Sequence, residues 1–194
     1  MRKILFVLLA VMSVAVGAYA QKKVSYGLKG GLNLSNYNAK FDYFRAGIYA
    51  GVFAEIKLKE RWAVQPEIMY YRNGGRGTYM LFSPVHNASE RKEDYISIPI
   101  MFKYYALPKL YLEAGPEVNY VVSAKEKADG RNFNLIDSYQ DRLSVSGSVG
   151  IGYQLPRGFG INARYSYSAP IKAQHPSFHN NTGKIGFTYT FQSK

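Results

Sequence analysis

Between Tyr95 and Val122 apolar and polar positions alternate along the chain. Ile96, Ile98, Ile100, Phe102 and Tyr104 hold the even positions of the first run, with Ser97 and Lys103 between them. After a short Ala-Leu-Pro-Lys break at 106–109, Leu110, Leu112, Ala114, Val118 and Tyr120 alternate with Glu113, Glu117 and Asn119. A period of two, held through two runs of about eleven residues, predicts two strands joined by a tight turn. The same alternation recurs along the chain and predicts eight strands, at about 24–34, 46–58, 61–72, 95–105, 110–122, 142–155, 159–168 and 182–191.

The connections alternate too. Segments 57–60, 106–109 and 155–158 are tight turns, whereas 35–45, 73–94, 123–141 and 169–181 are long and rich in Asn, Ser, Gly, Asp and Lys. Long loops at one end and short turns at the other are the pattern of an outer-membrane barrel with its short turns in the periplasm. An even strand count puts both termini at the short-turn end. A soluble barrel would carry its apolar residues inside; here the acids and bases fall on the inward face. The predicted fold is all-β: an eight-stranded antiparallel transmembrane β-barrel, an up-and-down meander with long extracellular loops. Pro66, Pro99 and Pro116 interrupt strands and are expected to sit at bulges or near strand ends, because proline donates no ladder hydrogen bond.

Residues 1–20 read as a cleaved signal peptide. Arg2 and Lys3 precede an apolar run from Ile4 to Val16, and Ala18-Tyr19-Ala20 forms the cleavage site, so the barrel domain is 21–194. The chain has no cysteine, hence no disulfide framework and no thiolate metal site. Its mean hydropathy is slightly negative despite 18 Tyr and 11 Phe. Strands that face lipid on one side only reconcile the two.

A formal charge of +12 raises the question of nucleic acid. An exported chain does not meet it, and the charges are distributed against a binding patch. The excess lies at the short-turn end, in Lys22, Lys23, Lys57, Lys59, Arg61, Lys109, Arg157 and Lys194 against Glu60. This reads as a basic collar for anionic head groups. The predicted interior carries Lys29, Lys103, Arg164 and Lys184 against Glu55, Glu67, Glu113 and Glu117, which balance. Eight strands leave a lumen that side chains just fill, so these eight are expected to pair as a network that packs and stiffens the barrel.

No catalytic, cofactor or metal site is expected. His86, His175 and His179 all fall in long loops, and Pro176 breaks the helix that would align the last two as ligands. His86 with Ser83 or Ser89, or His175 and His179 with Ser177, would be the candidates for an activated nucleophile, and none sits in a motif. Tyr26, Trp62, Tyr70, Tyr104, Tyr120, Tyr153, Tyr165, Tyr167 and Tyr189 suit interfacial girdles. Loops 73–94 and 123–141 are the expected surfaces for protein partners.

Several stretches carry a family resemblance. Tyr-Gly-Leu-Lys-Gly-Gly-Leu-Asn-Leu-Ser (26–35), Gly-Val-Phe-Ala-Glu-Ile-Lys-Leu (51–58), Gln-Pro-Glu-Ile-Met-Tyr (65–70), Ile-Ser-Ile-Pro-Ile-Met-Phe-Lys-Tyr (96–104), Leu-Tyr-Leu-Glu-Ala-Gly-Pro (110–116) and Ala-Arg-Tyr-Ser-Tyr (163–167) together resemble the PorT-like outer-membrane β-barrels of Bacteroidota. The resemblance implies an eight-stranded barrel inserted by the barrel assembly machinery, with Phe187, Tyr189 and Phe191 as its recognition segment. The family's named member takes part in type IX secretion, a role that fold alone does not transfer. The function expected is therefore a structural or interaction component of the cell envelope, at its most specific an accessory of an envelope or secretion complex. A narrow porin-like channel is the second reading and a loop-based enzyme the third. The intact mass of protein recovered from outer membranes is expected to correspond to a chain beginning at Gln21; a mass that retains residues 1–20 would contradict the cleavage reading.

Overall fold

The computed structural model describes residues 24–37, 45–79, 87–128, 131–134, 136, 142–170 and 180–191. The proposed signal peptide, all three histidines and Gln192–Lys194 lie outside these residues. Among the described residues nine strands follow in order: β1 (Val24–Tyr37), β2 (Arg45–Lys59), β3 (Trp62–Tyr79), β4 (Asn87–Tyr105), β5 (Leu110–Ala128), β6 (Arg131–Asn134), β7 (Leu143–Gln154), β8 (Phe159–Pro170) and β9 (Asn180–Thr190). All but β6 form a closed antiparallel barrel, in which β1 pairs with β9 and β5 pairs with both β4 and β7. Closure leaves no unpaired edge within the lipid, where an unmet backbone group is costly.

Alternation sorts the two faces as the sequence predicts. On β1, Leu28, Leu32 and Leu34 are exposed while Lys29 and Asn33 between them are buried. On β9, Ile185 and Phe187 stand 65% and 67% exposed on either side of buried positions. Polar side chains fill the inside and aliphatic ones the outside, the arrangement that lipid requires. The outward aromatics Tyr26, Trp62, Tyr104, Tyr153 and Tyr189 ring the short-turn end, with Trp62 and Tyr104 4.9 Å apart between ring centroids. Tyr70, Tyr120, Tyr165 and Tyr167 lie toward the other end.

Three strands run six or more residues further than the alternation predicts. β3 continues to Tyr79 rather than stopping at 72, β4 begins at Asn87 rather than 95, and β5 ends at Ala128 rather than 122. Much of what reads as loops 73–94 and 123–141 is therefore paired strand, with Arg72↔Asp94 through Tyr79↔Asn87 in one unbroken register. The short β6 folds back on the end of β5. The physical reason is that alternation reports contact with lipid. A strand that has left the bilayer keeps its ladder hydrogen bonds while both faces turn polar.

The prolines also depart from expectation. Pairing keeps one register past each of them: Pro66 lies opposite Ile100, Pro99 opposite Glu117 and Pro116 opposite Gly147. They gather around one place in the β3–β4–β5 ladder and sit at no bulge. The bulge in this part of the wall lies instead between Asp94 and Tyr95, which pair with Ser123 and Val121 and leave Val122 as the extra residue on β5. Parity flips there, so Val121 and Ala124 are both buried.

The turn between β7 and β8 carries the backbone strain. Pro156 accepts the Phe159 N–H, and both residues between them are left-handed, Arg157 at φ 61, ψ 27 and Gly158 at φ 84. A β-carbon on Gly158 would come within 2.4 Å of the Thr190 carbonyl oxygen. Arg157 is the one non-glycine with positive φ among the described residues, at a hairpin position where Asn or Gly is at home. Arg157→Asn is expected to raise stability by roughly 1 kcal/mol, read from urea unfolding in micelles; a destabilised variant would contradict the strain.

Candidate functional site

All eight ionisable residues assigned to the interior from the sequence are buried: Lys29, Glu55, Glu67, Lys103, Glu113, Glu117, Arg164 and Lys184. They form two groups at different heights. The larger is organised by Arg164 on β8. Its Nη1 and Nη2 donate to the two carboxylate oxygens of Glu67 across the lumen, at 2.8 Å each, and its Nε donates to Glu113 Oε1 at 2.8 Å. Nη1 also lies 3.4 Å from Glu117 Oε1. One guanidinium thus engages three carboxylates from β3 and β5, which its planar fork of five donors allows.

Two lysines complete the balance. Lys29 Nζ is 3.2 Å from Glu67 Oε1 and 3.7 Å from Glu113 Oε1, and Lys184 Nζ is 3.1 Å from Glu117 Oε2. Three acids meet three bases, so the layer is neutral. Neighbouring strands make room for it. Glu113, Gly150 and Arg164 are successive partners across β5, β7 and β8. A β-carbon on Gly150 would stand 3.0 Å from Glu113 Oε1, on the side chain that Arg164 must reach. Ser148 and Ser166 fill the adjoining wall, hydrogen-bonded to each other at 2.8 Å.

The second group lies nearer the short turns. Lys103 Nζ pairs with Glu55 Oε2 at 2.9 Å, while the Tyr105 hydroxyl donates to Glu55 Oε1 at 2.8 Å. Lys57 approaches the same carboxylate at 3.6 Å. Lys103 also sits 4.0 Å from the centroid of the Tyr111 ring, a cation over a π face. Tyr111 fits because its cross-strand partner is Gly152, where a β-carbon would fall 2.2 Å from the ring.

Above Arg164 the lumen is closed by residues outside the charge pattern. Tyr49, Met69, Tyr71, Tyr95, Val121 and Ala124 form one buried cluster, and Ile136 packs against it from the segment beyond β6. Tyr71 and Tyr95 stack with centroids 5.2 Å apart, and the Tyr71 hydroxyl donates to Asn119 Oδ1 at 2.6 Å. Tyr95 donates to Glu93, a buried acid in the stretch that reads as loop. The void between this cap and Arg164 is about 10 Å³, about enough for one water. Below the charges the lumen widens into a cavity of about 510 Å³ at the short-turn end.

Sequence reasoning missed the inward aromatics Tyr49, Tyr71, Tyr95, Tyr105 and Tyr111. The signal was present, since each shares the parity of the interior charges on its own strand. An apolar ring invites placement against lipid, and parity overrules it. Ser89, weighed as a nucleophile, lies in β4, and its candidate base His86 is outside the described residues.

A closed eight-stranded barrel with an aliphatic belt, aromatic girdles and a charge-filled lumen is an integral protein of the bacterial outer membrane. The chain matches the outer membrane protein beta-barrel domain over residues 19–168 and belongs to that family. Among solved structures it is similar to Neisserial surface protein A, with a TM-score of 0.61, 11% identity and coverage of 87% of this chain and 99% of that one. It is also similar to Ail of Yersinia pestis in complex with the heparin analogue sucrose octasulfate (TM-score 0.50, 15% identity, 88% and 99% covered). OprG of Pseudomonas aeruginosa gives a TM-score of 0.50 at 14% identity, with 89% and 98% covered. At these identities the likeness is one of fold. No curated protein matches the sequence.

Arg164→Met is expected to cost about 3–5 kcal/mol, the usual penalty for stripping the partner from buried charges. Adding Glu67→Gln is expected to restore part of the loss. Urea unfolding in micelles reads both, and additive losses would show that the two residues do not act as one network.

Proposed function

We propose that this protein is a non-conducting outer-membrane barrel that serves the cell envelope as a structural and interaction component, without an enzymatic reaction of its own. The observation that carries this reading is the filling of the lumen. Arg164 ties carboxylates from opposite walls together, and the stacked Tyr71 and Tyr95 close the space above it. In this reading the eight interior charges hold the wall rather than conduct. Residues 1–20 direct export and are removed, and the barrel assembly machinery inserts the chain. The parts left to meet partners are the extensions of β3, β4 and β5 beyond the bilayer. The resemblance to PorT-like barrels supports a place beside an envelope or secretion complex.

The basic residues Lys59, Arg61 and Lys109 are exposed around the short turns, which supports contact with anionic head groups on the periplasmic leaflet. A narrow channel is the alternative, favoured by the open cavity on that side. Conductance in a planar bilayer separates the two. Refolded residues 21–194 are expected to be electrically silent. Steady, ion-selective openings in the wild type that change in Glu113→Ala or Arg164→Ala would overturn the filled-lumen reading and make the interior the functional site.

A further inference from the structure

The cavity at the short-turn end has no part in that reading, and its walls are built for a ligand. Its volume of about 510 Å³ falls in the range of small-molecule sites. Lys57, Lys103 and Arg157 line it against one carboxylate, Glu55, so two positive charges are left over. Both Glu55 oxygens are already occupied, by Lys103 at 2.9 Å and by Tyr105 at 2.8 Å. Arg157 makes no ion pair among the described residues, and it occupies the left-handed turn position at φ 61. An asparagine there would relieve the backbone. Strain at a position whose side chain lines a cavity points to a use for that side chain.

The remaining lining suits an anion with an apolar body. Ser25, Thr188 and Thr190 place hydroxyls in the wall, and the inward rings of Phe53 and Tyr111 line it with them. We propose that the cavity binds a small phosphomonoester entering from the periplasm, its phosphate set among Lys57, Lys103 and Arg157 and its organic part against Phe53 and Tyr111. A phosphomonoester carries close to two negative charges at neutral pH, matching the excess. Arginine and lysine bind such a group by charge-assisted hydrogen bonds. The site is independent of whether the lumen conducts, because it lies below the Arg164 layer that fills it.

The test is a titration of the refolded protein in maltoside micelles with phenyl phosphate, followed by amide NMR. Saturable shifts are expected at Thr188, Thr190, Gln154 and Tyr111, with inorganic phosphate binding more weakly because it lacks the ring. Arg157→Asn is expected to weaken binding about tenfold, the loss of a charge-assisted contact. That variant relieves the turn, so a folding defect would not account for the loss. Glu55→Gln, which removes the opposing charge, is expected to tighten binding. Absence of saturable shifts, shifts confined to Lys59, Arg61 and Lys109, or equal affinity in Arg157→Asn would each overturn the proposal.

Discussion

A guanidinium buried in a lumen that holds little water has to be compensated by the protein, because desolvation costs several kcal/mol per ion even after relaxation. In this barrel Arg164 is that group, and much of the interior follows from it. Its fork draws Glu67, Glu113 and Glu117 inward from two facing strands, and three carboxylates around one cation demand further positive charge. Lys29 and Lys184 supply it from β1 and β9. The strand between Arg164 and Glu113 must then stay small, hence Gly150 and the serines beside it. Links between facing walls also tie together strands that are not neighbours in the sheet.

The two ends of the lumen are treated differently. Toward the long loops the filling turns aromatic and amide-rich, with Tyr71, Tyr95, Asn119 and Ile136 closing the space. Toward the short turns it opens around Lys103 and Glu55. The barrel is thus sealed on its outer side and hollow on its inner side. Outside, the β3–β4–β5 wall rises past the bilayer as paired strand, a stiffer surface than free loops would make.

How much of this was legible depended on parity. Period two sorted the eight charges named from the sequence to the buried face, because one residue of slippage would put a lysine into lipid. The same rule applied to Tyr49, Tyr71 and Tyr95 would have placed the cap, but aromatic character masked it. Glu93 was missed for a different reason. It lies where alternation fades, and the ladder there is held by backbone groups that no side-chain pattern reports. The prolines were misjudged because a missing N–H was taken to require a bulge. Three missing donors gathered around Ile100 leave the register intact.

The sequence by itself determined the fold class, the membrane address, the strand parity and the balance of charge inside, all of them consequences of a one-dimensional pattern meeting lipid. Tertiary structure alone decided which charge meets which. Lys29 and Glu67, or Arg164 and Glu113, are far apart in the chain and on different strands; only closure of the barrel and the stagger of its strands bring them within reach. The same closure decided that the lumen is capped above and open below. Both depend on which side chains share a height along the axis, a quantity set by strand register rather than by the order of residues.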